Sequence, residues 1–236
     1  MAVTGIYSRV KAKNIIDMEN MGENTMWPTT TEYKDIGSGV FPVTQPTVDN
    51  EWRNMYRDIR ECNVFLENYK RAQETVPGAN ERLAAEVRVI RALGYSFLTS
   101  FYGDIPLILL PLEPDDPQLY EGRKKQEEVV DFLIKELDEA AAVLPEKIPT
   151  GKDLGRISRG TALALKARIA LAYQRYEVAE KAAKQVMDMG VYKLYTTGDP
   201  KTSYHDLFTR NGKLASGKNQ ETLFARLHKM DVIMHN

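Results

Sequence analysis

The residues able to do chemistry in this chain are few and scattered. His205, His228 and His235 show no metal-ligand spacing such as His-Glu-x-x-His. Ser8-Arg-Val-Lys11 satisfies the Ser-x-x-Lys pattern of acyl-enzymes, but neither Ser-Asp-Asn nor Lys-Thr-Gly accompanies it. Asp115 and Asp116 are adjacent carboxylates. Neighbours in an extended segment point to opposite sides, so the two are not placed to share a proton. Gly151-Lys152-Asp153 lacks the upstream glycine and the Ser/Thr of a phosphate loop. Cys62 is the single cysteine. It sits inside a helical pattern with no electropositive setting, which reads as a buried, inert thiol. The residues alone therefore give no catalytic site, no metal site, no cofactor and no substrate.

The elements that must position any site come next. The chain has 236 residues, enough for one substantial domain or two small ones. With 32 Lys+Arg against 33 Asp+Glu the net charge is −1, and Arg123-Lys124-Lys125 is the densest basic cluster. That balance argues against a nucleic-acid partner, which needs a concentrated positive surface. One cysteine excludes an internal disulfide framework. The longest apolar run, Ile105 to Leu112, is broken by proline and far below the ~20 residues that span a bilayer. Met1 to Gly5 has neither a basic nor an apolar leader region.

The strongest periodicity runs from Glu81 to Pro106. Leu83, Val87, Ile90, Gly94, Phe97 and Phe101 recur at steps of three and four, one face of an α-helix. Asn80 is the expected N-cap, Glu81 favours the positive helix end, and Gly103 and Pro106 stop the helix. Gly94 costs about 1 kcal/mol in a helix interior, which implies a neighbour passing close by. Arg91, beside the stripe, is expected to hold a carboxylate or a loop carbonyl. Helices are also expected over Val3–Met18, Asn50 to about Ala72 with Asp49 as cap, Lys125–Leu144, Arg159–Tyr173 with Ser158 as cap, and Tyr176–Met189. Leu163, Ala167, Ala179 and Ala183 match the small-residue spacing of a tetratricopeptide hairpin. Asn20–Val48 reads as one long irregular segment and Ile105–Pro117 as a proline-rich surface strap. Tyr192–Tyr195 and Glu221–Leu227 read as short strands, with a single turn at Tyr204–Phe208.

Several blocks carry a resemblance. Glu86, Arg91-Ala92, Tyr95 and Tyr102-Gly103-Asp104-Ile105-Pro106 resemble the E-x(4)-RA-x-x-Y … YGD-[VI]-P signature of the SusD/RagB family of outer-membrane nutrient-binding lipoproteins. Trp52, Tyr56, Ile59 and Asn63 resemble the helix that precedes it, and Gly155 to Ala162 resembles the opening of the family's tetratricopeptide helices. Tyr176/Ala179 with Val186, Gly190, Tyr192 and Leu194 resembles the block that follows. So do Tyr204/Leu207-Phe208 and Asn219/Glu221/Leu223-Phe224. The resemblance implies a mainly all-α fold of stacked antiparallel helix pairs, including TPR-like hairpins, with long loops and a few short strands. Residues 1–236 would then be one SusD-like helical domain. Family members carry a signal peptide and a lipidated cysteine and are longer, so the chain is expected to be an amino-terminal portion.

The function so implied is non-catalytic: binding of oligosaccharides at the bacterial cell surface and delivery to a SusC-like TonB-dependent transporter. A TPR-type adaptor for protein or peptide is the other reading, since helical hairpin arrays present concave grooves. In the family, the loop after the first helix borders the ligand. Asn24, Trp27, Tyr33 and Asp35 offer there the flat rings and polar groups that sugars require. Trp27 would serve equally to pin a long loop to the core. Trp52, on a helix face, is expected to pack.

Overall fold

A computed structural model describes residues 2–11, 17–25, 31–74, 76–146, 153–209, 212 and 219–226. Within them the helices are α1 (Ala2–Tyr7), α2 (Glu32–Gly37), α3 (Pro46–Asn68), α4 (Ala79–Tyr102), α5 (Gln126–Val143), α6 (Arg159–Ala172), α7 (Tyr176–Asp188) and α8 (Pro200–Leu207). From α3 to α7 each helix packs on the next in chain order. Tyr102 at the end of α4 bonds Val48 at the start of α3, while Tyr69 just past α3 bonds Glu81 at the start of α4, so this pair is antiparallel. Arg88 meets Glu139, and Gln126 meets Thr99, which makes α4 and α5 antiparallel too. The three-residue link between α6 and α7 forces the same arrangement on that hairpin.

The mainly helical architecture expected from the sequence is what is found, and several details differ. The stripe on α4 is correct at Val87 and Ile90, but Phe101 is 41% exposed. The reason is that α4 lies between α3 and α5 and buries two faces, so Val89, Ala92, Tyr95 and Leu98 are buried as well. Gly94 does face a neighbour: a Cβ there would stand 3.3 Å from Ile59 of α3. Asn80 is not the N-cap of α4. Gly78, at φ 77°, holds that place, and Glu74 accepts from the Gly78 and Asn80 amides at 3.2 and 3.0 Å. Asn80 instead donates its side-chain amide back to Ala72. α3 starts at Pro46 rather than Asn50, because proline needs no N–H partner in the first turn. Asp49 is thus inside that turn, paired with Arg53 at 2.6 Å.

The expected helix over Val3–Met18 is shorter: α1 ends at Tyr7, and residues 12–16 lie outside the described residues. The irregular segment contains a 3₁₀ turn at Glu19–Met21 and the helix α2, whose cap Thr31 accepts from the Lys34 amide. Tyr204–Phe208 belongs to a two-turn helix, α8, begun by Asp199 and Pro200. The strands at Tyr192–Tyr195 and Glu221–Leu227 are not formed. A lone backbone bond from Lys193 to Gln220 joins the two segments, Glu221 caps the Tyr195 amide, and Leu227 lies outside the described residues. In the α6–α7 hairpin the buried small residues are Ala162, Ala170, Ala179 and Ala182, while Ala183 is exposed.

Two clusters of buried charge, around Glu86 and around Arg91, set the interior. Glu86 is fully buried and accepts from Tyr7 (2.8 Å), from Arg82 (3.1 Å) and from both Nε and Nη2 of Arg156 (3.2 and 2.7 Å). Arg91 is buried, pairs with Glu136 of α5 and donates to Asn63 of α3 at 2.9 Å. Removing one partner of a buried ion pair leaves the others uncompensated. Glu86→Ala is therefore expected to lower unfolding free energy by about 3–5 kcal/mol in urea melts. Tyr7→Phe, which keeps the carboxylate with both arginines, is expected to cost about 2 kcal/mol.

Candidate functional site

The residues of the strongest sequence block turn out to hold a strap. Residues 106–110 run without regular pairing over α3 and α4, and side chains supply what a sheet would have supplied. Tyr56 donates to the Pro106 carbonyl at 2.7 Å. Tyr95 donates to the Ile108 carbonyl at 2.5 Å and accepts from the Ile108 amide at 2.8 Å. Asn63 donates to Ile108 and Leu110 at 3.0 and 3.3 Å. Arg91, expected to hold a carboxylate or a loop carbonyl, does both, reaching the Leu109 carbonyl at 3.5 Å. The start of the strap is fixed by one antiparallel bridge, Ile105 with Lys124. Asp104 then accepts from the Lys125 ammonium and the Gln126 amide, both at 2.9 Å, at the start of α5.

The dispersed reactive groups do not assemble. Ser8 donates to the Gly5 carbonyl, and Lys11 pairs with Glu51, so the Ser-x-x-Lys pair is split between two partners. Asp116 caps a 3₁₀ turn through the Gln118 amide and takes no role with Asp115. Cys62 is 2% exposed, and burial pushes its thiol up to about 12, which keeps it protonated. His205 lies exposed beside Asp206; His228, His235, Gly151 and Lys152 lie outside the described residues. Among the described residues no group of three or more His, Cys, Asp or Glu is arranged to hold a metal ion.

What does assemble is aromatic. At the end of the bundle where α3 begins and α4 ends, Tyr56, Trp52, Tyr102, Phe101 and Phe97 form a continuous row. Trp52 lies 4.9 Å from both Tyr56 and Tyr102, the latter edge-on. Phe97 and Phe101 stack at 6.1 Å. A cation stands at each end, Arg123 5.8 Å above Trp52 and Lys11 5.9 Å from Phe97. Trp52 packs, as expected, yet stays half-buried. Beside the row, Glu51 accepts from Lys11 and, at 3.0 Å, from Tyr33. Burial first, and then the Glu51 charge, push the Tyr33 hydroxyl up, so it remains a donor.

Of the four expected ligand residues, Tyr33 and Asp35 share the short helix α2 and are half-buried; Asn24 is exposed. Trp27 lies outside the described residues. Tyr33 joins the aromatic end of the bundle through Glu51. Sequence reading missed the row itself. The i,i+4 pairs Trp52/Tyr56 and Phe97/Phe101 carry the signal for its halves, but nothing in sequence brings Arg123 to Trp52. Two further hollows lie elsewhere. One of about 590 Å³ runs beside α3 between Ile6, Phe65 and Tyr69. Another, of about 380 Å³, lies between α4 and α6 under Phe224.

Comparison with known proteins adds to this geometry. Residues 3–171 match a family model described as SusD-like, starch-binding associating with outer membrane. A SusD-like protein of Formosa agariphila is 24% identical over 91% of this chain and 42% of its own length. The crystal structure of a SusD-like protein from Bacteroides fragilis superposes with a TM-score of 0.80 at 25% identity, covering 97% of this chain and 44% of that one. A SusD-like carbohydrate binding protein from the same organism gives 0.77 at 24% identity, over 94% and 44%. A surface glycan-binding protein A from Bacteroides uniformis shares the fold at a TM-score of 0.74 and 20% identity. The chain thus spans well under half the length of the first relatives it matches.

The Asp104 tie is open to direct measurement. The Lys125 ammonium first, and then the Gln126 amide, hold this carboxyl below its ordinary value. A lowered folded-state value stabilises the fold above the ordinary carboxylate range, and the contribution disappears as pH falls through the lowered value. Asp104→Asn is expected to be less stable than the parent near neutral pH, with the gap closing in thermal melts at acid pH, below the ordinary carboxylate range. An equal gap at both pH values would show that the charge is not what ties α4 to α5.

Proposed function

The chain belongs to the SusD-like family, and from that premise we propose that it is a non-catalytic glycan-capture protein of the bacterial outer-membrane surface. It holds oligosaccharide and hands it to a SusC-like TonB-dependent transporter. Residues 1–236 act as one helical domain, an amino-terminal part of the longer family architecture. Among the described residues no helix is long and apolar enough to cross a membrane, and attachment in this reading is through a lipid anchor.

The observation that carries the reading is the family match together with what the frame leaves over. Tyr7, Tyr56, Asn63, Glu86, Arg91 and Tyr95 are spent on internal bonds. The groups with capacity for a ligand stand at the aromatic end and on the segment anchored there. Asn24, Trp27, Tyr33 and Asp35 make up the proposed sugar contact, with Trp27 as the stacking face and the others as partners for hydroxyls.

The test is affinity electrophoresis in gels carrying soluble glycans, followed by titration with the best ligand. Trp27→Ala is expected to weaken binding about tenfold, about 1.4 kcal/mol, with the melting temperature unchanged. Unchanged affinity would remove residues 20–48 from the site and leave the glycan reading standing. A fall in melting temperature with affinity intact would assign Trp27 to holding the loop on the core.

A further inference from the structure

The aromatic end of the bundle carries an arginine that the ion pairs around it do not use. Of the carboxylates beside the row, Asp49 is matched by Arg53 at 2.6 Å, Glu51 by Lys11, and Asp104 by Lys125 at 2.9 Å. Among the described residues Arg123 forms no ion pair within 4.0 Å, and it stands over an aromatic ring of the row. Residues 123 and 125 fall on the same side of an extended stretch, and both reach toward Asp104. Arg123 donates to the Asp104 carbonyl at 3.5 Å and adds a weaker pull on the Asp104 carboxyl, while Lys125 bonds the carboxylate directly. The guanidinium is exposed, stands 5.8 Å over the half-buried Trp52 ring, and keeps most of its five donors unused.

We propose that the ligand is an anionic oligosaccharide, and that Trp52 and Arg123 form the subsite for a sugar unit bearing a carboxylate or a sulfate ester. This deepens the glycan-capture reading and rests on it. The two halves of the subsite do different work. Trp52, with Tyr102 edge-on beside it, offers an apolar border for the C–H side of a sugar ring. Arg123 offers a planar fork that meets a carboxylate or a sulfate with two parallel N–H donors. Its position over the indole fixes the fork without consuming those donors. A neutral sugar offers this cation hydroxyl acceptors but no opposite charge, and a cationic sugar would be repelled by it. The charge match selects the anionic class, and residue 123 is the selector.

The test is calorimetric titration of the chain with size-matched neutral, uronate and sulfated oligosaccharides, with inorganic sulfate as a separate arm. Anionic oligosaccharide is expected to bind about tenfold more tightly than neutral, with most of that margin lost between about 50 and 500 mM salt. Whichever of the uronate and sulfated arms binds more tightly identifies the source of the charge. Arg123→Gln, an exposed change, is expected to erase the preference by lowering anionic-sugar affinity about tenfold; Arg123→Lys is expected to retain only part of it. Equal binding of neutral and anionic sugars overturns the charge assignment while glycan capture stands. A preference that survives Arg123→Gln overturns the subsite. Sulfate binding as tightly as the sulfated sugar reduces the site to a bare anion contact and overturns it as well. No binding of any glycan sinks the capture reading itself.

Discussion

A carboxylate with no access to water is the constraint from which the rest of this structure follows. Glu86 lies on the central helix and is fully buried. Burial of an isolated ionised carboxylate is strongly unfavourable, so the position is tenable only if partners arrive from elsewhere in the chain. They do. Arg82 comes from the preceding turn of α4, Tyr7 from the end of α1, and Arg156 from the segment leading into α6. The Tyr7 hydroxyl also accepts from the Ile157 amide at 2.8 Å, which fixes the backbone just before the Ser158 cap. One side chain thus sets two separate pieces of chain against α4, and a change at any partner leaves the same charge exposed to the cost.

The second constraint is the strap. A segment with four prolines between residues 106 and 117 is poorly suited to a sheet, yet its carbonyls lie against the helices and need donors. Tyr56, Asn63, Arg91 and Tyr95 supply them from two helices, and Glu136 of α5 holds Arg91 in place. The polar residues that recur through the sequence block are therefore carpentry. Gly160 belongs to the same logic. A Cβ there would fall 2.3 Å from the Tyr192 ring, and the closeness lets the Tyr192 hydroxyl bond Ser158 at 2.7 Å. That contact joins the end of the α6–α7 hairpin to its beginning.

These particulars explain what could be read from sequence. α5 and the α6–α7 hairpin were legible because their signals are local: steps of three and four and a Ser158 cap. The structural role of Arg91 was legible from its place beside an apolar stripe. The start of α4 was not, because its amides are capped by Glu74 from the linker, and a side chain in a linker has no periodicity. Phe101 was misjudged because one stripe cannot describe a helix buried on two sides. The segments 192–195 and 221–226 have strand composition, but each finds side chains instead of a neighbouring strand: Glu221 takes the Tyr195 amide and Thr161 takes the Leu223 carbonyl. The candidate site was legible only in part for a related reason. Tyr33 could be named from its type, whereas its attachment through Glu51 and the convergence of Trp52 with Arg123 are purely tertiary.

The division between frame and site has a physical basis. A side chain whose donors and acceptors are consumed by buried backbone cannot also rearrange around a ligand, since each lost bond would leave a buried group unsatisfied. That leaves the polar residues of the bundle interior committed to the frame, and in the proposed reading recognition falls to its end. There the requirements reverse. The rings are half-buried, so their orientation is fixed at little further entropic cost on binding, while the polar groups beside them keep capacity that the fold does not use. Lys11 and Arg123 show the contrast within one row: both stand over an aromatic ring, but Lys11 is tied to Glu51, and Arg123 is tied to a single carbonyl. A cation kept beside an aromatic surface with most of its donors idle gives the fold little stability in return. In the proposed reading its value lies in what it can hold.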